Sequence, residues 1–364
     1  MRILFPTFLG ALVAPGEVQA QLFLEDKAAY TCNSAMNYTC ETESFFGFAN
    51  SHSGFRSPSF SRVRGKRGVL AGDSCLAGQL TDSGVKMLLN TGIQLSDIYG
   101  TALGLPYIPK KPEVMFRSTD VPRVYESAAA LAWGMFPGLT DADPADVMDI
   151  TVVDERSDSM KPSDTVCPGL EEALDEFYES AEAKNRAEWG ASLREIIGKT
   201  TGYTPIYLTN DPKQMYNLYT FPTECWVAHA CPTVPSSPKT VPPEFDEDHM
   251  RSIQREAAYW VNDRYSSSRK LQRLAYGPFI EDLLEDLREG RRRLSVYMGH
   301  DFGPANSVMD PLRLTWMDSG NRCASTLPPF GAMLIMEIYT DRKVRFIYNG
   351  RVASVEAIKE CRGK

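Results

Sequence analysis

The stretch Leu294-Ser-Val-Tyr-Met-Gly-His-Asp301 constrains this chain more than any other. Its first five residues alternate and are rich in strand formers, which predicts a short buried strand. Gly299 lets the backbone turn, and the chain then presents an imidazole and a carboxylate side by side. In an open α/β sheet, ligands sit at the carboxyl ends of strands. Taken alone, His300 and Asp301 read more simply as a turn or a helix cap. Two further segments, around residues 54–58 and 117–120, change that balance.

The first half of the chain supplies partners for such a strand. Ser44-Phe-Phe-Gly-Phe48 reads as a first strand. A helix starting at the N-cap Thr81 carries Val85, Leu88, Leu89 and Ile93 on one face. Lys111–Phe116 reads as a strand, followed by a helix with the apolar face Val124, Ala128, Leu131 and Met135. Asp149–Asp154 is another strand. Alternating strands and helices predict a parallel-rich sheet. From Cys167 to about Gly290 the pattern turns helical. Leu170, Leu174, Phe177 and Ala181 share a face, as do Trp189, Leu193, Ile196 and Ile197. A late helix pair is broken near Gly277-Pro278, and Cys231–Pro243 is too proline-rich for regular structure. Trp133 and Trp189 read as core residues. Phe330–Tyr339 and Lys343–Gly350 then form a hairpin. The expected fold class is α/β: a mixed, mostly parallel sheet flanked by helices. The core spans 21–166 and 291–364, with a helical cap inserted at 167–290.

Residues 1–20 have a basic start, a short apolar run and the small residues of Val18-Gln-Ala20, and read as a secretory leader. No later stretch is long and apolar enough to span a membrane. Eight cysteines follow the leader, which in an oxidising compartment predicts up to four disulfides. Their spacings match no zinc pattern, so metal ligation is the weaker reading, and no cofactor is expected. Asn37-Tyr-Thr39 is a glycosylation sequon. The net charge of −8 disfavours nucleic acid as a partner. The expected location is outside the cell or in the lumen of the secretory pathway. The basic run Arg62–Gly68 reads mainly as a solvated loop.

Gln79-Leu-Thr-Asp-Ser-Gly84, Phe116-Arg-Ser-Thr-Asp120, Gly299-His-Asp301, Pro328-Pro-Phe-Gly331 and Asn349-Gly350 occur in an order that resembles the histidine acid phosphatases, clade two of the histidine phosphatase superfamily. Cys75, shortly before Gly78-Gln-Leu-Thr81, is similar to the branch that includes lysophosphatidic acid and phosphoxylose phosphatases. The resemblance covers about residues 44–350 and implies a phosphoglycerate mutase-like sheet with a helical insert. It also implies a mechanism. A histidine in Arg-His-Gly-x-Arg-x-Pro attacks phosphorus, arginines hold the phosphate oxygens, and the aspartate after the second histidine protonates the leaving oxygen. Charge spread over phosphate oxygens suits arginine, which is planar, permanently cationic and bidentate.

On that resemblance Arg117, His300 and Arg56 are phosphate ligands and Asp301 is the general acid. Gly54-Phe-Arg56-Ser-Pro58 matches only the second half of the first motif. Aligned without a gap, the nucleophile's place falls on Ser53 and the first arginine's on His52. With one residue inserted before Gly54, His52 remains a candidate nucleophile and Ser51 replaces the arginine. A serine hydroxyl has no activating base here. A displaced His52 would need to regain in-line geometry, where an error of about 1 Å costs around a hundredfold. Phe302, after Asp301, departs from the small polar residue usual in the family.

Three functions follow as expectations. The first is a pseudophosphatase that binds phosphate, a phosphorylated small molecule or a protein partner. The second is an active acid phosphatase using His52. The third is a structural subunit on a phosphatase scaffold.

Overall fold

The structure, a computed structural model, describes residues 4–5, 8–12, 82–140, 150–201, 208–220, 247–314, 328, 331–341 and 343–355. His52, Ser53, Arg56, the sequon, the strand expected at 44–48, the basic run and the proline-rich loop lie outside the described residues. Short strands β1 (Leu4–Phe5) and β2 (Phe8–Leu12) precede helix α1 (Asp82–Leu103), strand β3 (Val114–Thr119), helix α2 (Pro122–Met135) and strand β4 (Ile150–Val153). Helices α3 (Gly169–Glu179), α4 (Ala181–Trp189), α5 (Ala191–Thr201), α6 (Glu247–Ala258) and α7 (Arg269–Glu289) follow. Strand β5 (Leu294–Met298), helix α8 (Pro304–Met309) and strands β6 (Leu334–Ile338), β7 (Val344–Tyr348) and β8 (Arg351–Ala353) complete the described chain.

The strands make one mixed sheet in the order β4-β3-β5-β2-β6-β7-β8, with β1 paired to β2. β3 runs parallel to both β4 and β5, so the carboxyl ends of all three share one edge. The remaining edge is an antiparallel meander from β6 to β8. Asn349 and Gly350, at φ 47° and 78°, make the left-handed turn between β7 and β8 that the Asn-Gly pair predicts. β2 lies between β5 and β6. It belongs to the segment read as a leader, so removal of residues 1–20 would take this strand out of the sheet.

β5 is buried at every position, in keeping with its central place. β3 begins at Val114, later than the sequence suggests, because Pro112 has no N–H to give a ladder. One side of the sheet packs on α1 and α2. Val114, Phe116, Leu294, Val296 and Met298 meet Leu88, Leu95, Ala128, Leu131 and Met135 there. The two helices cross in close contact. A Cβ at Gly92 would lie 2.1 Å from the Leu131 carbonyl oxygen, and one at Gly134 2.1 Å from that of Leu89. The buried stripe of α1 therefore runs through Val85, Leu88, Gly92, Leu95 and Tyr99. Ile93, expected on it, is 45% exposed.

The other side packs on α7 and α8 through Phe279, Leu283, Tyr297, Val308 and Leu334. The helices after residue 167 gather a cluster of their own, with Phe177, Ile197, Tyr219, Trp260 and Tyr276 among its members. α7 serves both clusters, since Leu271 and Ala275 lie in one and Phe279 and Leu283 in the other. Trp189 corrects a second expectation. It is 69% exposed, with the Arg186 guanidinium 5.1 Å from its ring centroid. An indole can rest on the surface when a cation covers its face. Cys167 is a free, half-buried thiol, and the other cysteines lie outside the described residues.

Candidate active site

Register decides which way Arg117 points. In β3 it pairs with Tyr297 of β5, and paired residues face the same side of a sheet. Tyr297 Oη donates to Asp286 Oδ2 of α7 at 3.0 Å, and Ser295 Oγ donates to the same atom at 2.7 Å. Arg292 also pairs with Asp286. These bonds seat α7 on the sheet. Asp282, one helical turn earlier on the same face, then meets Arg117.

The Arg117 side chain is 12% exposed. Its Nη1 donates to Asp282 Oδ2 at 2.7 Å. Its Nη2 donates to Ser159 Oγ at 2.9 Å and to Asp158 Oδ1 at 3.3 Å. Ser159 Oγ also donates to Asp282 Oδ2. Asp158, with 1% of its side chain exposed, accepts from the Met160 N–H at 3.0 Å as well. Burial raises the Asp158 carboxyl above its usual range, against the pull of the Met160 N–H and the Arg117 charge. Arg117 is thus compensated by two carboxylates. Asp158 and Ser159 come from the loop after β4, so three strand ends and α7 build this corner.

β5 delivers His300 to the same edge. Gly299 packs so tightly that a Cβ there would lie 2.6 Å from Pro304 Cδ. The chain then turns, with the Gly303 N–H donating to the His300 carbonyl at 2.9 Å. His300 Nε2 lies 3.4 Å from Thr119 Oγ1, two residues beyond Arg117 on β3. Phe302 stacks on the imidazole, with centroids 5.3 Å apart and planes 15° apart. Burial, with Arg123 and Lys161 adding to it, pushes the imidazole down to about 3. His300 is therefore neutral at mildly acid pH, able to accept or donate a hydrogen bond but carrying no charge.

Asp301 responds to the same surroundings in the opposite sense. Burial pushes its carboxyl up to about 6, against its own N–H, Arg123 and the Phe302 N–H. Its backbone is fixed, since Asn306 Nδ2 and Asn262 Nδ2 both donate to the Asp301 carbonyl. At about pH 5 the carboxyl is mainly protonated, as a general acid requires.

Arg117 therefore lies near the carboxyl end of β3, and His300 and Asp301 follow the carboxyl end of the neighbouring strand β5. The sequence did not point to Asp158, Ser159, Asp282 or Arg123. Arg123 opens α2 right after Arg-Ser-Thr-Asp, and its charge acts on both His300 and Asp301. Its place in the first turn of a helix, beside anion-favouring N–H groups, is the signal that could have found it. A cavity of about 600 Å³ adjoins Arg117's partners and is lined by Ser157, Ser159, Arg273, Glu281 and Asp282 among others. Among the described residues no group of His, Cys, Asp and Glu is gathered as metal ligands would be. No helix among them is long and apolar enough to cross a membrane.

A mixed sheet with helices on both sides and a His-Asp turn at its carboxyl edge defines an α/β phosphatase-type fold. The chain belongs to branch 2 of the histidine phosphatase superfamily, which it matches over residues 57–349. It is 25% identical over 302 residues to counting factor 60 of Dictyostelium discoideum, covering 76% of this chain and 64% of that protein's length. It is 23% identical over 285 residues to mouse prostatic acid phosphatase, covering 74% of this chain and 68% of that one. Among solved structures it resembles a Klebsiella phytase with a TM-score of 0.53 at 15% identity, covering 75% of this chain and 71% of the phytase. That likeness concerns the fold alone.

Proposed function

We propose that this protein is a secreted phosphatase-fold protein that binds phosphomonoesters and hydrolyses them slowly or not at all. The observation that carries the proposal is Ser53, which stands where the family's attacking histidine falls when Gly54-Phe-Arg56-Ser-Pro58 is aligned without a gap. Arg117, His300 and Asp301 at one sheet edge support the binding half, with Arg56 as a further phosphate ligand. The hydrolytic half lacks its nucleophile. His300, the imidazole beside Arg117's strand, faces Thr119 and is stacked on Phe302, so it is engaged as a ligand rather than as a base. In this reading residues 167–290 cap the site.

Assay of the purified protein on p-nitrophenyl phosphate at about pH 5 tests the proposal, alongside calorimetric titration with inorganic phosphate. Binding with slow or no turnover is expected. Turnover at the rate of an ordinary acid phosphatase, abolished by His300→Ala, overturns it.

A second reading draws on Asp301, whose carboxyl at about 6 keeps the proton an acid phosphatase needs. In it His52 is a shifted nucleophile. Phosphate trapped on His52 supports this reading, and inertness toward every phosphomonoester ends it.

A further inference from the structure

Arg117's anion-binding edge is already filled. Asp282 Oδ2 on Nη1 and Ser159 Oγ on Nη2 take places that phosphate oxygens would take on a guanidinium. Arg117 Nε remains buried with no hydrogen-bond partner among the described residues. The seat is thus closed by the protein's own carboxylate and still has a donor to give. Asp282 also has an outer side. Its side chain is 41% exposed, and it lines the cavity of about 600 Å³.

The two sides are linked. An anion can take Nη1 only when the Asp282 carboxylate turns away. Asp158 does not turn with it, because it is buried and held by the Met160 N–H. The displaced carboxylate then faces the cavity beside Glu281, with Arg273 the guanidinium on that wall. Two carboxylates against one cation oppose the displacement. A cationic group on the incoming ligand removes that opposition.

We propose that Asp282 makes the site selective for phosphomonoesters of amino alcohols, with the phosphate taking Arg117 and the ligand's ammonium taking the released carboxylate. The step is an exchange of ion pairs, with no covalent bond formed or broken. It rests on the reading of Arg117 as a phosphate ligand. Ser157 and Ser159 offer hydroxyls on the same wall for the short linker between the two charges.

The test is calorimetric titration of the full chain with O-phosphoethanolamine and with ethyl phosphate, which differ by one ammonium group. The wild type is expected to bind O-phosphoethanolamine about fivefold more tightly, the scale of a partly exposed ion pair. Asp282→Asn is expected to tighten ethyl phosphate and erase the preference. Glu281→Gln, which leaves Arg117's contacts intact, is expected to narrow it. Equal affinities in the wild type, or a preference that survives Asp282→Asn, overturn the proposal and leave the phosphate site standing. Binding of neither ligand overturns the phosphate-site reading and this proposal together.

Discussion

Arg117 gives the sharpest test of how the site is held together, because its removal strands a buried charge. Asp158 has 1% of its side chain exposed and keeps only the Met160 N–H when the guanidinium is gone. Breaking a buried pair by deleting one partner costs about 3–5 kcal/mol. The surviving N–H and the freedom to protonate place Asp158 at the low end, so Arg117→Ala should destabilise the fold by about 3 kcal/mol. The loss should depend on pH. The Asp158 carboxyl is already raised in the fold, and without Arg117 it rises further. A group with a raised folded-state value contributes stability below its unfolded value and loses it as pH rises, so the penalty should grow from about pH 4 to neutrality. Urea unfolding of the wild type, Arg117→Ala, Asp158→Asn and the double variant at both pH values measures this. The double variant should recover about 2 kcal/mol relative to the sum of the singles. An Arg117→Ala protein as stable as the wild type, or strictly additive variants, would refute the claim that Arg117 is a structural counter-ion.

Other outcomes follow from the same physics. His300, at about 3 in the fold, takes up a proton on unfolding, so its contribution is present above about pH 6.5 and fades as pH falls toward 3. Asp301, at about 6, works the other way and loses its contribution as pH rises from about 4 through 6. His300→Asn should therefore make the slope of melting temperature against pH more negative between about 4 and 6, and Asp301→Asn should make it more positive. Unchanged slopes would remove burial as the cause. Gly134→Ala should cost about 3 kcal/mol by forcing α1 and α2 apart, since its Cβ would sit 2.1 Å from a backbone oxygen. Gly277→Ala, with nothing within 4 Å of the new Cβ and a helix around it, should instead stabilise by about 0.5–1 kcal/mol. Chemical denaturation distinguishes the two glycines directly.

Much of the fold is written locally. Alternation marked Leu294–Met298, the 3.6-residue period placed Val124, Ala128, Leu131 and Met135 on the buried face of α2, and Asn349-Gly350 fixed its turn. These features depend on neighbours a few residues away, so a reading of the chain can find them. On α1 the buried stripe departs from the hydrophobic period because of Gly92. A glycine scores as no hydrophobe, yet it is what allows two helices to touch and so shifts the buried stripe away from Ile93. Trp189 leaves the core for a related reason, since a cation one helical turn away, Arg186, lies over its ring.

The sequence by itself determined the family and named Arg117, His300 and Asp301 as a set. Only the tertiary structure decided what state they are in. Arg117's partners Asp158 and Asp282 lie 41 and 165 residues away and reach it through strand register and the seating of α7. A neutral imidazole and a protonated carboxyl at mildly acid pH come from burial at the sheet's edge. Charge compensation and desolvation are sums over everything nearby in space, and a one-dimensional order of residues does not contain that sum.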